Sequence, residues 1–505
     1  MRIVDLLERD ALLYPERIGA GVVGGEMLGY AELRARVARL AGALERRGVG
    51  RGERVALMAS NGLVYFDVYL ACAYLGAAAV PVNTHLALPE IAYQMDDAQP
   101  VIGVADAAHV DALHAAAPWL PLVCCDDAEW AVMLRNGVEP AGLPSRARPD
   151  DVALVIYTSG TTGRPKGVCL TQHALCFNGV SIALAQELRN DEVFLTTTPL
   201  YHAATGTRIA SMLLDGYTHL VMRDFDAAGF LRSIDEHGVT STILVPTQLR
   251  RVLGVPSLGG ATLDTLRLLV YGAAPTALPL IHEALTTLPC GFYQGYGLSE
   301  ACTNLTGLLP SDHLLAASRP DLLLTCGRVT PGTTLRITDD DGVEVPRGER
   351  GELRVFTEKV MAGYWGRPEA TRDAIVDGWL RTGDVAVMDG EAYITIVDRA
   401  KDMLITGGTN VYPSEIEAVL HAHPDIAEAA VVGAPHIEWG EVPVAFVIAR
   451  PGHSVDAAAV AAFCRTQLAG IKVPRSISVV EDMPRTANGK VRKVELREQV
   501  AAQPA

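Results

Sequence analysis

The stretch from Ile156 to Gly167, Ile-Tyr-Thr-Ser-Gly-Thr-Thr-Gly-Arg-Pro-Lys-Gly, constrains this chain more than any other. An apolar run from Val152 to Ile156 leads into it and predicts a buried strand. Thr158, Ser159, Gly160, Thr161, Thr162, Gly163, Arg164 and Lys166 then follow almost without interruption. Glycines let a backbone fold tightly and bring its N–H groups close to an anion. The hydroxyls donate hydrogen bonds, and Arg164 and Lys166 add positive charge. The ligand that matches is a polyphosphate. A plain Gly/Thr-rich surface loop has no need of a lysine framed by Pro165 and Gly167. The stretch is not a Walker A loop, because Pro165 stands where the second glycine of that motif belongs.

Before this loop, apolar spacing predicts helices over 30–47 and 65–75 and strands over Arg54–Met58 and 77–82. That alternation implies a parallel sheet covered by helices. After it, helices are expected over 172–187 and 230–237, and strands near 193–198, 218–222, 242–245 and 266–272. Residues 327–397 show short β patterns with turn signals such as Asp339-Asp-Asp-Gly342, which predict a distorted barrel or small sheet. A length of 505 residues asks for at least two domains. The charged run Val397-Asp398-Arg399-Ala400-Lys401-Asp402, between two apolar strands, is the expected boundary.

A net charge of −16 argues against a nucleic-acid surface, while leaving room for a local anion site. Nine scattered cysteines without a CxxC pair read as reduced thiols rather than a zinc or disulfide framework. His421 and His423 form an H-x-H pair without further ligands, a weak metal signal. The first residues lack the apolar core of a signal peptide and no apolar run reaches membrane-spanning length, so cytoplasmic residence is the expectation.

A second motif, Phe292-Tyr-Gln-Gly-Tyr-Gly-Leu-Ser-Glu300, has readable chemistry. Tyr296 can pack against a base or substrate, Ser299 can bond a phosphate, and Glu300 can bind the hard cation that accompanies ATP. Standing alone, the motif reads equally well as a glycine-rich strand end with a solvated glutamate. Four further stretches bear on function: Met361-Ala-Gly-Tyr-Trp365, Gly378-Trp-Leu-Arg-Thr-Gly-Asp384, Met403 to Glu417 with Gly407 and Gly408, and Met483-Pro-Arg-Thr-Ala-Asn-Gly-Lys490.

Together these motifs resemble the adenylate-forming (AMP-binding) enzymes, a family of acyl-CoA synthetases, peptide-synthetase adenylation domains and beetle luciferases. The resemblance covers nearly the whole chain. It implies an α/β fold: a large N-terminal domain (1–397) of two helix-covered sheets plus a distorted β-barrel, a hinge (398–402), and a small mobile α+β domain (403–505). It implies the phosphate loop at 158–166 and the adenine beside Gly272, Ala273, Ala274, Gly295, Tyr296 and Gly297. Asp384 is expected on the ribose and Arg399 on ribose or phosphate. Glu300 is expected on Mg²⁺, Lys490 as the catalytic lysine and Lys401 as the pivot, with Gly407 and Gly408 walling the CoA channel. His202 matches a position bordering the carboxylate substrate, with Ala203, Gly206, Thr247 and Gly297 around the acyl group and Gln248 a weaker candidate. His219 matches no motif and is expected to be structural.

The activity implied is an ATP-dependent carboxylate–CoA ligase, working through an acyl-adenylate on a medium- or long-chain fatty acid or a bulky cyclic or aromatic acid. Loading of a carrier-protein thiol is the alternative. A luciferase-like oxidation and a catalytically dead scaffold are further rivals. Intact Lys166, Glu300, Asp384, Arg399 and Lys490 argue against the last. Arg208 and Arg250 are not placed by sequence, and a homodimer is left open.

Overall fold

A computed structural model of the chain describes residues 1–140, 142, 147–158, 164–272, 276–399, 402–406, 409–436, 439–485 and 491–501. It divides into two compact units, residues 1–335 with 355–380, and residues 336–354 with 381–505.

The first unit holds two sheets. One has seven strands in the order Gly363–Tyr364, Lys166–Thr171, Val152–Thr158, Ala78–Pro81, Arg54–Met58, Ile102–Ala105, Leu122–Cys124. The strands from Val152–Thr158 to Leu122–Cys124 run parallel, and the other two close one edge antiparallel. The second sheet has nine strands. Its parallel centre runs Gly291–Tyr296, Leu268–Gly272, Ser241–Leu244, Val193–Thr196, Thr218–Val221, Ile18–Val22. Parallel strands buried on both faces need continuous apolar runs, and Leu268-Leu-Val-Tyr271 and Val152-Ala-Leu-Val-Ile156 supply them.

The helix Leu63–Leu75 packs against strands of both sheets. It is apolar nearly all round, as a helix enclosed on every side must be. Its one buried carboxylate, Asp67, receives Arg36 Nε and Nη2 at 2.8 Å each. The expected helix over 230–237 starts three residues earlier, as Ala227–His237, because the Asp226 side chain caps it by accepting from the Gly229 N–H at 2.7 Å.

Strands Thr333–Thr338, Arg350–Thr357, Trp379–Met388, Ile375–Val376 and Ile394–Arg399 form the small curled sheet expected from the turn signals. Within the second unit, Ile426–His436 and Gly440–Ala449 form a long antiparallel pair. Successive residues point to opposite faces: Ala429 and Val431 meet the helices Pro413–His421 and Ala457–Gln467, while Ala430 and Val432 meet Leu496 of the helix Lys493–Ala501. No helix among the described residues is long and apolar enough to cross a membrane.

Candidate active site

The motifs of the first unit lie at the carboxyl ends of its parallel strands, where open α/β sheets bind ligands. Thr158 ends its strand in register with Lys166 on the returning one, so the two residues form the mouth of the glycine- and threonine-rich loop. Ser159, Gly160, Thr161, Thr162 and Gly163 lie outside the described residues. The base of the loop is anchored. The Tyr93 hydroxyl donates to the Pro165 carbonyl at 2.9 Å, and the Tyr157 hydroxyl donates to Asp97 at 2.8 Å. Gly167 is a glycine of necessity, since a Cβ there would fall 2.7 Å from Val155 and press on Tyr157 and Trp365.

Lys166 does not point into solvent alone. Its ammonium lies 4.8 Å from the centre of the Tyr364 ring, and the Tyr364 hydroxyl donates to Glu300 Oε1 at 2.9 Å. One phenol thus joins the lysine of the first motif to the carboxylate of the second. Tyr364 is positioned by the short strand Gly363–Tyr364, which pairs with Val168 and Cys169. The Glu300 backbone is held as well, its carbonyl accepting from the Met361 N–H at 2.8 Å. The carboxylate is half-buried, and among the described residues no ion pair holds it. A hard oxygen ligand with one neutral partner fits a divalent cation.

Gly272 and Gly295 face each other on adjacent strands, and a Cβ on Gly272 would fall 2.4 Å from the Gly295 carbonyl oxygen. Gly295 itself has space, since its nearest neighbour would be Tyr293 at 3.5 Å. At Gly297 a Cβ would strike the Thr303 carbonyl at 2.4 Å, so this glycine lets the following turn fold back. Tyr296 and Ser299 are half-buried beside it. Ala273 and Ala274 lie outside the described residues.

His202 caps the short helix Ala203–Gly206, its carbonyl accepting from the Gly206 N–H at 2.8 Å, and its ring stands edge-on to Tyr201 at 4.5 Å. Ala203 is buried. At Gly206 the missing side chain makes room for the protein itself, since a Cβ would fall 2.6 Å from the Leu200 carbonyl. The loop before His202 is held by a residue with no sequence signal, Asn61. Its Oδ1 accepts from the Leu200 N–H at 2.9 Å and its Nδ2 donates to the Thr198 carbonyl at 3.1 Å. Thr247 is exposed at the start of the helix Pro246–Leu253, while the Gln248 amide donates to the Thr197 carbonyl at 3.2 Å. Arg208 is buried against the Phe194 ring and Gln186, and burial pushes its guanidinium down to about 10. Arg250 is exposed. His219 is fully buried, its Nε2 2.7 Å from the Thr196 hydroxyl, and burial pushes the imidazole down to about 3. It is a neutral structural residue.

In the second unit, Asp384 and Arg399 stand opposite each other on antiparallel strands. Asp384 is buried, with its N–H on the Thr382 hydroxyl at 3.1 Å. Lys401, Gly407, Gly408 and Lys490 lie outside the described residues. The frame around Lys490 is described: Arg485 and Val491 form an antiparallel bridge, and the Arg492 N–H donates to the Pro484 carbonyl at 2.7 Å. His421 Nδ1 lies 2.7 Å from the Glu417 carbonyl, and no metal-binding cluster occurs among the described residues.

Comparison with known proteins agrees with this geometry. The AMP-binding enzyme family matches residues 7–365, and the AMP-binding enzyme C-terminal domain matches 415–490. A feruloyl-CoA synthase from Amycolatopsis is 38% identical over 482 residues, 94% of each chain. A fatty acid–[acyl-carrier-protein] ligase, ScoC, from Streptomyces coeruleorubidus is 34% identical, covering 94% of this chain and 92% of that one. Among solved structures, the O-succinylbenzoate coenzyme A synthetase of Bacillus subtilis in complex with ATP and magnesium superposes with a TM-score of 0.87 at 29% identity over 98% of both chains. The chain belongs to the AMP-binding enzyme family and is an AMP-forming acid–thiol ligase of the acyl- and aryl-CoA kind, a family that works with ATP, Mg²⁺ and CoA.

Proposed function

We propose that this ligase activates a medium- or long-chain fatty acid, or a bulky cyclic or aromatic acid, and passes the acyl group to CoA. The Lys166–Tyr364–Glu300 arrangement carries the reading, because it puts a phosphate-binding lysine and a cation-binding carboxylate on one ring. In the first half-reaction a carboxylate oxygen of the acid attacks the α-phosphorus of ATP and pyrophosphate leaves. Thr158 to Lys166 hold the departing phosphates, with Ser299 bonding one of them. Glu300 holds Mg²⁺, which supplies Lewis-acid stabilisation to the phosphate oxygens. Asp384 takes the ribose hydroxyls, Arg399 assists, and Lys490 neutralises charge as carboxylate and α-phosphate approach. In the second, the CoA thiolate attacks the acyl carbonyl and AMP leaves. The assignment of 398–402 as a hinge about Lys401, with Gly407 and Gly408 beside CoA, belongs to the same reading.

The acid class rests on two observations. Gly295 has room for a methyl beside the strand ends, its nearest neighbour being Tyr293 at 3.5 Å, and neither Arg208, bonded to Gln186, nor exposed Arg250 is presented for a second carboxylate. His202 borders this acid. Cytoplasmic residence is part of the reading, and sedimentation decides between monomer and homodimer.

The test is AMP formation from ATP and Mg²⁺ over a panel of carboxylic acids, with and without CoA. CoA-dependent turnover on one bulky monoacid class is expected. Acid-dependent pyrophosphate exchange that CoA fails to discharge would replace CoA by a carrier-protein thiol, the acceptor in the name of ScoC. Lys490→Ala should stop adenylation while sparing thioester formation from supplied acyl-AMP.

A further inference from the structure

Lys359 is a fully buried cation that the proposed chemistry leaves unused. Its side chain is fully buried, with 0% exposure. The segment Thr357-Glu358-Lys359 reads as a solvated charged turn, yet the ammonium lies inside the first unit. It donates to the Ser181 hydroxyl at 3.1 Å, to the Thr330 hydroxyl at 3.1 Å and to the Asn304 carbonyl. An ammonium has three donors, and here they meet three oxygens. Placing a charge here rather than an apolar side chain is costly unless something requires it.

What lies at the other end of those bonds is the turn that carries Glu300. After Ser299–Ala301 the backbone passes through Cys302 at φ +52° and Thr303 at φ +70°, a left-handed pair that non-glycine residues rarely adopt. Asn304 is the first residue beyond this reversal. Its carbonyl takes the ammonium, its Nδ2 donates to Ser181 at 3.4 Å, and its Oδ1 accepts from the Tyr293 hydroxyl at 3.2 Å. The Thr330 hydroxyl also meets the Asn304 carbonyl, at 3.1 Å. On the near side, the Thr303 carbonyl abuts Gly297 so closely that a Cβ there would stand 2.4 Å away. The turn is therefore pinned at its exit by Lys359 and at its start by Gly297.

The same segment grips the turn at two more points. Two residues beyond Lys359 the Met361 N–H donates to the Glu300 carbonyl at 2.8 Å, and three further on the Tyr364 hydroxyl reaches the Glu300 carboxylate at 2.9 Å. Ammonium, amide and phenol from one short segment act on the exit, backbone and carboxylate of one acidic turn. From this geometry we infer that Lys359 is a positioning residue, which sets the strained 299–304 turn so that Glu300 presents its carboxylate to the Mg²⁺ of MgATP. The inference rests on the reading of Glu300 given above.

The test measures equilibrium binding to the full-length protein by calorimetry, with MgATP and with AMP, and follows thermal unfolding alongside. AMP lacks the bridged β- and γ-phosphates and serves as the reference ligand. Lys359→Met keeps length and volume and removes the donors. It is expected to weaken MgATP at least tenfold while AMP affinity stays within twofold. Thr330→Val, which removes one acceptor, should shift MgATP in the same direction by a smaller factor, and it decides the matter if Lys359→Met does not fold. Unchanged MgATP affinity, or equal loss for MgATP and AMP, overturns the inference. Glu300→Gln separates the two readings. If it weakens MgATP selectively and the Lys359 and Thr330 variants do not, only the positioning role fails. If Glu300→Gln leaves MgATP unchanged, the assignment of Glu300 fails and the inference with it.

Discussion

Carboxylates of the two units are held in opposite ways. In the second unit Asp398, Asp402 and Glu417 are committed to holding helices. Asp398 accepts from the Ser414 N–H at 3.0 Å at the start of Pro413–His421, Asp402 pairs with Arg497, and Glu417 accepts from the Val431 N–H at 2.7 Å and from Lys493 at 2.8 Å. In the first unit Glu300 meets a neutral phenol, while the clamping of its turn is left to Lys359 and to backbone bonds. A carboxylate held by cations and amides is part of the scaffold. A carboxylate whose backbone is held but whose charge is left uncompensated is available for a ligand. The contrast separates structural from functional acids more sharply than motif position does.

The largest test of that contrast pairs one acid from each unit. Glu300→Gln should lower acid-dependent pyrophosphate exchange by about 10²–10³, the usual cost of losing a preorganised electrostatic partner of the transition state. It should leave the melting temperature nearly unchanged. Glu417→Ala should do the reverse, costing about 1.5–3 kcal/mol of stability through its charged hydrogen bonds while folded molecules keep their exchange rate. If both variants lose exchange equally, the distinction between the two acids is wrong.

A smaller effect is expected at the phenol. Tyr364→Phe keeps the ring under Lys166 and removes only the hydroxyl that reaches Glu300. Loss of one hydrogen bond to a charged group is worth about 1.5 kcal/mol or somewhat more, which is tenfold in binding. The Mg²⁺ needed for half-maximal exchange should rise about tenfold with little change in the KM of the acid. A rise in the acid KM instead would move Tyr364 from the cation to the substrate.

These partners also show where a sequence stops being legible. The alternation of strands and helices and the strand ends carrying Thr158, Gly272 and Tyr296 follow from apolar periodicity and glycine placement, while the two sheets of the large unit are implied by the family resemblance. The family motifs bring Lys166 and Glu300 into one reading. Tyr364 lies in a stretch that matches a family motif, yet its partner is not legible, since its bond to Glu300 spans 64 residues of chain. Asn61 is hidden likewise, holding a loop 139 residues away. Lys359 carries no sequence signal for the same reason: it stands between Glu358 and Val360, and only the folding of Ser181, Asn304 and Thr330 around it makes it interior. Gly206 and Gly295 look alike in sequence, yet a Cβ at the first would strike the Leu200 carbonyl at 2.6 Å while one at the second would meet nothing nearer than Tyr293 at 3.5 Å. Local pattern gives the element, and only tertiary packing tells what the element's side chains meet.

That last pair of readings extends to Gly295 and Gly297, which belong to one motif. Gly297→Ala places a methyl against the Thr303 carbonyl and should cost about 1–3 kcal/mol in stability, with loss of exchange as the acidic turn is pushed away. Gly295→Ala meets its nearest atom at 3.5 Å and should fold normally. Its added methyl should shift preference across the acid panel towards smaller acids by a few-fold. Equal stability loss in both variants would mean that Gly295 is packing space rather than ligand space.

The smallest expected effect concerns pH, and it tests whether the clamp on the Glu300 turn carries a charge. Burial pushes the Lys359 ammonium down to about 7, with Cys302 acting the other way. The thiols nearby, Cys302 and Cys176, are themselves pushed up to about 12 by burial and stay neutral through the neutral range. The adjacent Glu358 is engaged by His173 at 2.5 Å. For a lysine whose folded pKa lies below its unfolded value, the unfolded chain holds the proton while the folded chain has released it. The unfolding free energy therefore rises with pH above about 7, towards the ordinary lysine value. Between pH 7 and 8 the slope permits a gain of about 1 kcal/mol at most. Lys359→Met should remove this rise, so the stability difference between wild type and variant should change with pH in that window, in favour of wild type as pH increases. Other titrating groups cancel in that difference. A difference that stays flat from pH 6 to 9 would mean that the ammonium is as comfortable inside the protein as in water. The clamp would then stay charged across that window, and its hold on the Asn304 carbonyl would not change with pH.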